Sequence, residues 1–292
     1  MVVRAAQQLP VRCPRCESTL YKGAAALTDV RVPVFGPTSA GKTRLIAAGL
    51  VALSATATAS GSDLSCIDDD SQQAFQDATE LLRRGADTAR TPASQAPPPV
   101  TVQLTTSRRH RAVLHLFDAS GDLYSARESN AELEYLDHAQ GMVLVVDPFS
   151  LPSLRQQSVG TRGSLLTVPK PVAADPEQTY QVTAQRLRDF GVTTSHQRLA
   201  IAVVKADLLA DLPVPEDMRP TPDNVRAWLI DNSLDHLVLT AERDFSEVRY
   251  FLVASQDQPV ADAELSPALP FLWLLRCSGI ALSPKHLIGE HK

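Results

Sequence analysis

The stretch Gly36-Pro37-Thr38-Ser39-Ala40-Gly41-Lys42-Thr43 constrains this chain more than any other. It fits the pattern GxxxxGK[ST] in full. An apolar run that reads as a strand, Val30 to Phe35, leads into it, and the residues after it, Arg44 to Leu53, are helical in composition. Strand, glycine-rich turn and helix together are the context a phosphate-cradling loop needs. The glycines let the backbone curl so that successive N–H groups point at phosphate oxygens, and the helix N-terminus adds partial positive charge. In that reading Gly36, Pro37, Thr38, Ser39, Ala40 and Gly41 form the cradle. Lys42 bridges the β and γ phosphates, and the Thr43 hydroxyl ligates Mg²⁺.

The rest of the chain supplies a fold around that loop. A helix is predicted at about 69–84, with Ala74, Phe75, Ala78, Leu81 and Leu82 on one face and aspartates at its start. Residues 86–99 read as a loop ending in Pro97-Pro98-Pro99. Strands at 100–106 and 112–117 are joined by the basic turn Ser107-Arg108-Arg109-His110-Arg111, which predicts an antiparallel hairpin. Further strands are expected at 141–147, 199–204 and 247–255. Asp175-Pro176-Glu177-Gln178 is a helix start, with a capping acid, proline at the first position and Gln in the capping-box position. Thr221-Pro222-Asp223 opens another helix, and 267–279 reads as the last. Strands alternating with helices predict a three-layer α/β fold with a mostly parallel sheet, one antiparallel strand and helices on both faces. Residues 1–28 read as a short N-terminal segment and 29–292 as one domain, with no internal repeat.

Three more motifs fall at predicted strand ends. Asp118 closes an apolar strand, where it can hold Mg²⁺ through water, and Gly121 three residues on can offer its N–H to a γ-phosphate. Val204-Lys205-Ala206-Asp207 places a carboxylate where it can accept both the N1–H and the 2-amino group of guanine. Adenine presents the reverse pattern on that edge and is rejected through unpaired buried groups. The aliphatic stem of Lys205 can cover the base face. Val253-Ala254-Ser255 ends the next strand, where the backbone at Ser255 can meet the guanine oxygen.

Taken in this order the four motifs resemble the TRAFAC class of P-loop GTPases, which includes Ras-like and translation-factor GTPases, over roughly residues 30–280. Within that class the chain resembles bacterial double-GTPase-like proteins. The features that carry this are Cys13-Pro14-Arg15-Cys16 upstream, a long helical insert, a Val-Val-Asp-Pro strand end and a late Leu-Pro-Phe-Leu-Trp-Leu-Leu helix. The resemblance implies a Ras-like P-loop fold and a cytoplasmic GTP switch with a protein effector or activator, in a bacterial conflict or defence system. Two departures stand out. Val204 occupies the Asn position of NKxD, and Asp122 stands where Ras-like proteins place a water-orienting Gln. A carboxylate there can orient or deprotonate water, but the γ-phosphate repels it, so slow intrinsic hydrolysis is expected. The switch threonine belongs between the first helix and the hairpin. Thr88 and Thr91 are the candidates, and Thr91, before Pro92, is preferred. Lys42, Asp122 and Thr91 are thus the candidate catalytic residues.

Composition narrows the alternatives. A net charge of −5 argues against general nucleic-acid binding. No secretory signal is read at the N-terminus, and no apolar run reaches the roughly 18 residues of a membrane span. The 4 cysteines do not make a disulfide framework for a chain this long, which points to a reducing cytosol. Cys13 and Cys16 have the spacing of half a Zn²⁺ knuckle, but a structural zinc needs four ligands and no second CxxC exists. The function expected is Mg²⁺-dependent GTP hydrolysis in a nucleotide-controlled switch. The alternatives are an ATP-using P-loop NTPase, disfavoured because no Glu follows Asp118, and a GTP-bound scaffold with negligible turnover.

Overall fold

A computed structural model describes residues 11–12, 19–20, 27–83, 100–118, 139–151, 154, 175–209, 220–254 and 263–282. Two short strands, β1 (Val11–Arg12) and β2 (Thr19–Leu20), pair antiparallel and bracket the Cys13–Cys16 stretch in sequence. The main elements follow as β3 (Thr28–Phe35), α1 (Lys42–Ala59), β4 (Asp63–Cys66), α2 (Asp69–Arg83), β5 (Val100–Thr105), β6 (Arg111–Asp118) and β7 (Gly141–Val146). After these come α3 (Pro176–Asp189), β8 (Arg198–Val203), α4 (Ala206–Leu209), α5 (Pro222–Leu229), α6 (Asp235–Asp244), β9 (Glu247–Leu252) and α7 (Leu269–Cys277). β3 begins at Thr28, two residues before the Val30 start expected from sequence.

Strands β3 to β9 form a 7-stranded sheet in the order β4-β5-β6-β3-β7-β8-β9. β6, β3, β7, β8 and β9 run parallel, and β5 alone runs against both its neighbours, β4 and β6. The predicted hairpin is therefore present, and among the described residues it supplies the one antiparallel strand of this sheet. The central strands read as continuous apolar runs because both faces are covered. On β7, Met142, Leu144 and Val146 face a core shared with Tyr180 and Leu187 of α3, Val225 and Leu229 of α5, and Leu237 and Val238 of α6. Val143 and Val145 point the other way, into a core built with Leu45, Ile46, Leu50 and Leu53 of α1 and Phe271 and Leu274 of α7. β8 alternates likewise, with Leu199, Ile201 and Val203 on one face and the small Ala200 and Ala202 under the α7 side. Three layers result, as the strand–helix alternation predicts.

The helix starts follow local chemistry. Asp175 accepts the Glu177 N–H at 2.9 Å, with Pro176 in the first turn of α3. Thr221 caps α5 in the same way, accepting the Asn224 N–H at 3.4 Å. Because five neighbouring strands are parallel, their carboxyl ends emerge along one edge of the sheet, and the loops that follow them share that edge. β3 is paired with β6 on one side and β7 on the other, so the loop after Phe35 emerges between the ends of those two strands.

Candidate functional site

The glycine-rich loop between β3 and α1 is shaped by two backbone requirements. Gly36 has φ 149°, and a Cβ there would lie 2.6 Å from the Val145 carbonyl oxygen of the neighbouring strand. Gly41 has φ 99°, again a conformation that side chains disfavour. The loop closes on itself through Ala40 N–H to the Pro37 carbonyl at 3.1 Å, and α1 takes up its ladder with Leu45 N–H to the Gly41 carbonyl at 2.8 Å. Lys42 is buried, and its ammonium donates to the carbonyls of Gly36 at 3.0 Å and Pro37 at 2.9 Å. The lysine thus arches back over the loop from the first residue of the helix.

Thr43, one residue on, donates its hydroxyl to Oδ2 of Asp118, the last residue of β6. The register that pairs Val34 with Asp118 across β3 and β6 brings these two residues together across 75 positions of sequence. Burial pushes the Asp118 carboxyl above its ordinary pKa, while the Thr43 hydrogen bond and the nearby Lys42 charge pull it back. A hydroxyl oxygen and a carboxylate oxygen in contact at the mouth of a phosphate-type loop are hard donors, and that donor set fits Mg²⁺. Among the described residues no three His, Cys, Asp or Glu side chains gather as a metal site of their own.

On the other side of the loop, β8 delivers the Val204–Asp207 segment. Val204 is buried, and a methyl built on Gly41 would lie 3.8 Å from its Cγ2. The residue that replaces Asn thus lies beside the glycine-rich loop, in the same apolar cluster as its Ala40. Lys205 adopts φ 62°, rare for a non-glycine residue and a mark of functional sites when tertiary structure enforces it. Its carbonyl accepts the Leu208 N–H at 3.0 Å and so starts α4. The segment is tied to its neighbour by Ala206 N–H to the Val253 carbonyl at 3.1 Å. Asp207 lies in the first turn of α4, half-buried, and no other described side chain is hydrogen-bonded to its carboxylate. Ala254 is buried at the end of β9 and donates its N–H to the Leu265 carbonyl at 2.9 Å.

Residues 30–274 match the family described as Double-GTPase 2. The chain belongs to that family. Among curated proteins none matches the chain. Double-GTPase 2 membership gives this P-loop α/β protein a GTPase-like character. Of the residues predicted from sequence, the structure gathers Gly36 to Thr43, Asp118, Lys205 and Asp207 along one sheet edge. Thr91, Gly121, Asp122, Ser255, Cys13 and Cys16 lie outside the described residues, as do Thr88 and most of the loops that would carry a switch.

Sequence reasoning missed one side chain that meets these residues. Asp147, directly after β7, is 1% exposed and takes the Lys205 ammonium at 2.7 Å. The sequence reading used this residue only as part of a Val-Val-Asp-Pro strand end. The available signal was an acid placed directly after an apolar strand and before proline, where an unpaired carboxylate would be costly to bury.

Proposed function

We propose that this Double-GTPase 2 protein binds GTP and hydrolyses it with Mg²⁺, acting as a nucleotide-controlled switch read by a protein effector. The observation that carries this reading is the placement of Lys42 and the Thr43–Asp118 pair on the same sheet edge as Lys205 and Asp207. Phosphate-binding and base-reading chemistry need that adjacency. Thr43 and Asp118 would hold Mg²⁺, which when bound neutralises charge on the phosphate oxygens. Lys42, released from the Gly36 and Pro37 carbonyls, turns its ammonium to the β and γ phosphates. Loop N–H groups orient the phosphate chain. Asp207 accepts the two guanine donors, and the Lys205 stem covers the base. Water then attacks the γ-phosphorus, a new P–O bond forms, the bridging P–O bond breaks, GDP leaves with its electron pair, and of the two water protons one stays on the phosphate formed and one passes to solvent. Asp122 in place of a neutral water-orienting residue supports slow intrinsic turnover, completed by a partner. A cytoplasmic setting in a bacterial conflict or defence system is the context the family resemblance implies.

Competition binding with GTP, ATP and XTP tests the reading. Wild type should favour GTP over ATP by at least about one hundredfold, the scale set by unpaired buried polar groups. Asp207→Asn should shift preference towards XTP, whose 2-oxo group pairs with an amide donor. Equal affinity for ATP and GTP would overturn the assignment in favour of an ATP-using enzyme.

A further inference from the structure

The Asp147–Lys205 pair is built more firmly than an incidental ion pair. One carboxylate oxygen of Asp147 accepts the Phe149 N–H at 3.0 Å and the other accepts the Lys205 ammonium at 2.7 Å. The Asp147 carbonyl in turn accepts the Ser150 N–H at 3.0 Å and its hydroxyl at 2.7 Å, which winds Pro148–Ser150 into a single turn of 3₁₀-helix. That turn carries Phe149, whose ring centroid lies 5.9 Å from the same ammonium. Lys205 is therefore gripped at its far end by a carboxylate and an aromatic face, while its backbone is fixed at φ 62°. What remains free is the aliphatic stem between the two anchors. A lysine side chain ordinarily loses considerable rotamer freedom when it must become a flat packing surface. Here that ordering precedes the ligand. The anchoring also bears on Val204, which lies in the apolar cluster beside the glycine-rich loop and, unlike an Asn, has no side-chain group to hydrogen-bond to it.

We infer that Asp147 is a specificity-determining positioning residue, which holds the Lys205 stem in place as a preset platform for the guanine base and compensates for the valine at position 204. The inference rests on the GTP reading above and adds to it a residue outside the recognised base motif. Asp147 touches no nucleotide in this scheme and acts only through Lys205.

The test uses the full chain with Mg²⁺ and three probes: a fluorescent GDP, ATP in competition, and inorganic tripolyphosphate, which has no base. Asp147→Asn keeps the side-chain shape and an acceptor for the Phe149 N–H. It should weaken GDP binding about five- to tenfold, the weight of one flexible side chain left to be immobilised on binding. Tripolyphosphate affinity should stay within about twofold, because the glycine-rich loop is untouched. Lys205→Met retains the stem without its anchor and should give a similar loss. The double variant should lose no more than either single one, since both remove the same restraint. Lys205→Met also carries the test should the Asn variant fail to fold. Unchanged GDP affinity, an equal loss for tripolyphosphate, or additive losses in the double variant would each overturn the inference. A wild-type protein that does not distinguish GDP from ATP would instead overturn the GTP reading itself.

Discussion

At the scale of single residues, the glycine-rich loop makes the sharpest demands. At Gly36 even a methyl group would collide with a backbone oxygen of β7, and backbone cannot swing aside as a side-chain tip can. Gly36→Ala should destabilise the protein by at least about 2 kcal/mol, from an enforced left-handed backbone and that collision together. Urea unfolding is the measurement, and a variant as stable as wild type would show that the loop has room the geometry denies it. Asp118 poses the opposite case. Its carboxyl is pushed up by burial before any other influence, so its charge is a burden on the empty fold at neutral pH. For a raised carboxylate the stabilising contribution is complete below the unfolded-state value and fades as pH rises through the folded one. Asp118→Asn should therefore leave the melting temperature at pH 7 unchanged or higher while abolishing the Mg²⁺ dependence of nucleotide binding. A melting temperature several degrees lower would count against this. The residues of the loop, of Asp118 and of Lys205–Asp207 were legible in the sequence because each follows an apolar strand at a fixed spacing. Asp147 was not, because its role depends on a contact with a lysine 58 positions away.

At the scale of elements, most helices and strands found by their punctuation agree with the structure within a residue or two, β9 ending at Leu252 where the strand was expected to reach 255, and the misses have physical causes. β4 is a strand of only 4 residues at the sheet edge, alternating exposed and half-exposed, so its sequence carries almost no apolar signal. The helix after β3 runs on to Ala59 through threonines that the sequence reading leaves outside it, and Thr56 and Thr58 donate their hydroxyls back to the Ala52 and Ser54 carbonyls at 2.8 and 3.0 Å. α6 was hidden because no Gly or Pro separates it from α5. The break is made by Asn232 at φ −98° and Ser233 at φ 66°, with the Asn232 amide donating to the Trp228 carbonyl at 2.8 Å. Three elements are fastened through Glu242 of α6, which accepts Arg226 of α5 at 2.6 and 2.9 Å and the Tyr250 hydroxyl of β9 at 2.8 Å. The Arg226 hydrogen bonds hold the Glu242 carboxyl below its ordinary value of 4.5, against an opposing push from burial. A depressed carboxylate stabilises above its unfolded-state pKa and loses that contribution as pH falls through the folded one. Glu242→Gln should thus cost about 1 kcal/mol at pH 7, the modest figure suiting a pair one-third exposed to solvent. The difference from wild type should close as pH drops below 4.5. Denaturation curves over that range check it, and a gap that persists unchanged into acid would refute the ionic origin.

For the molecule as a whole, binding and folding are linked through the same sheet edge. A ligand present at one hundred times its dissociation constant stabilises the fold by about 2.7 kcal/mol. Mg²⁺ with GTP should therefore raise the melting temperature by several degrees, and the shift should vanish in Lys42→Ala. The nucleotide-free variant gives up two buried hydrogen bonds to loop carbonyls but should still melt cooperatively, which leaves a baseline for reading the lost shift. A full ligand-induced shift in Lys42→Ala would remove the lysine from phosphate binding.

The valine at position 204 leaves a mechanical consequence at this edge. A side-chain hydrogen bond between the base segment and the phosphate loop would fix the angle between them, whereas Val204, set in an apolar cluster beside that loop, resists compression but supplies no such directional tie. Within the proposed switch, the segment that reads the base is fastened to β7 and β9, through Asp147 and the Val253 carbonyl, and so can keep its place while the phosphate loop shifts. Letting go of guanine and letting go of phosphate then become separable movements, and a partner that pries at one need not wrench the other.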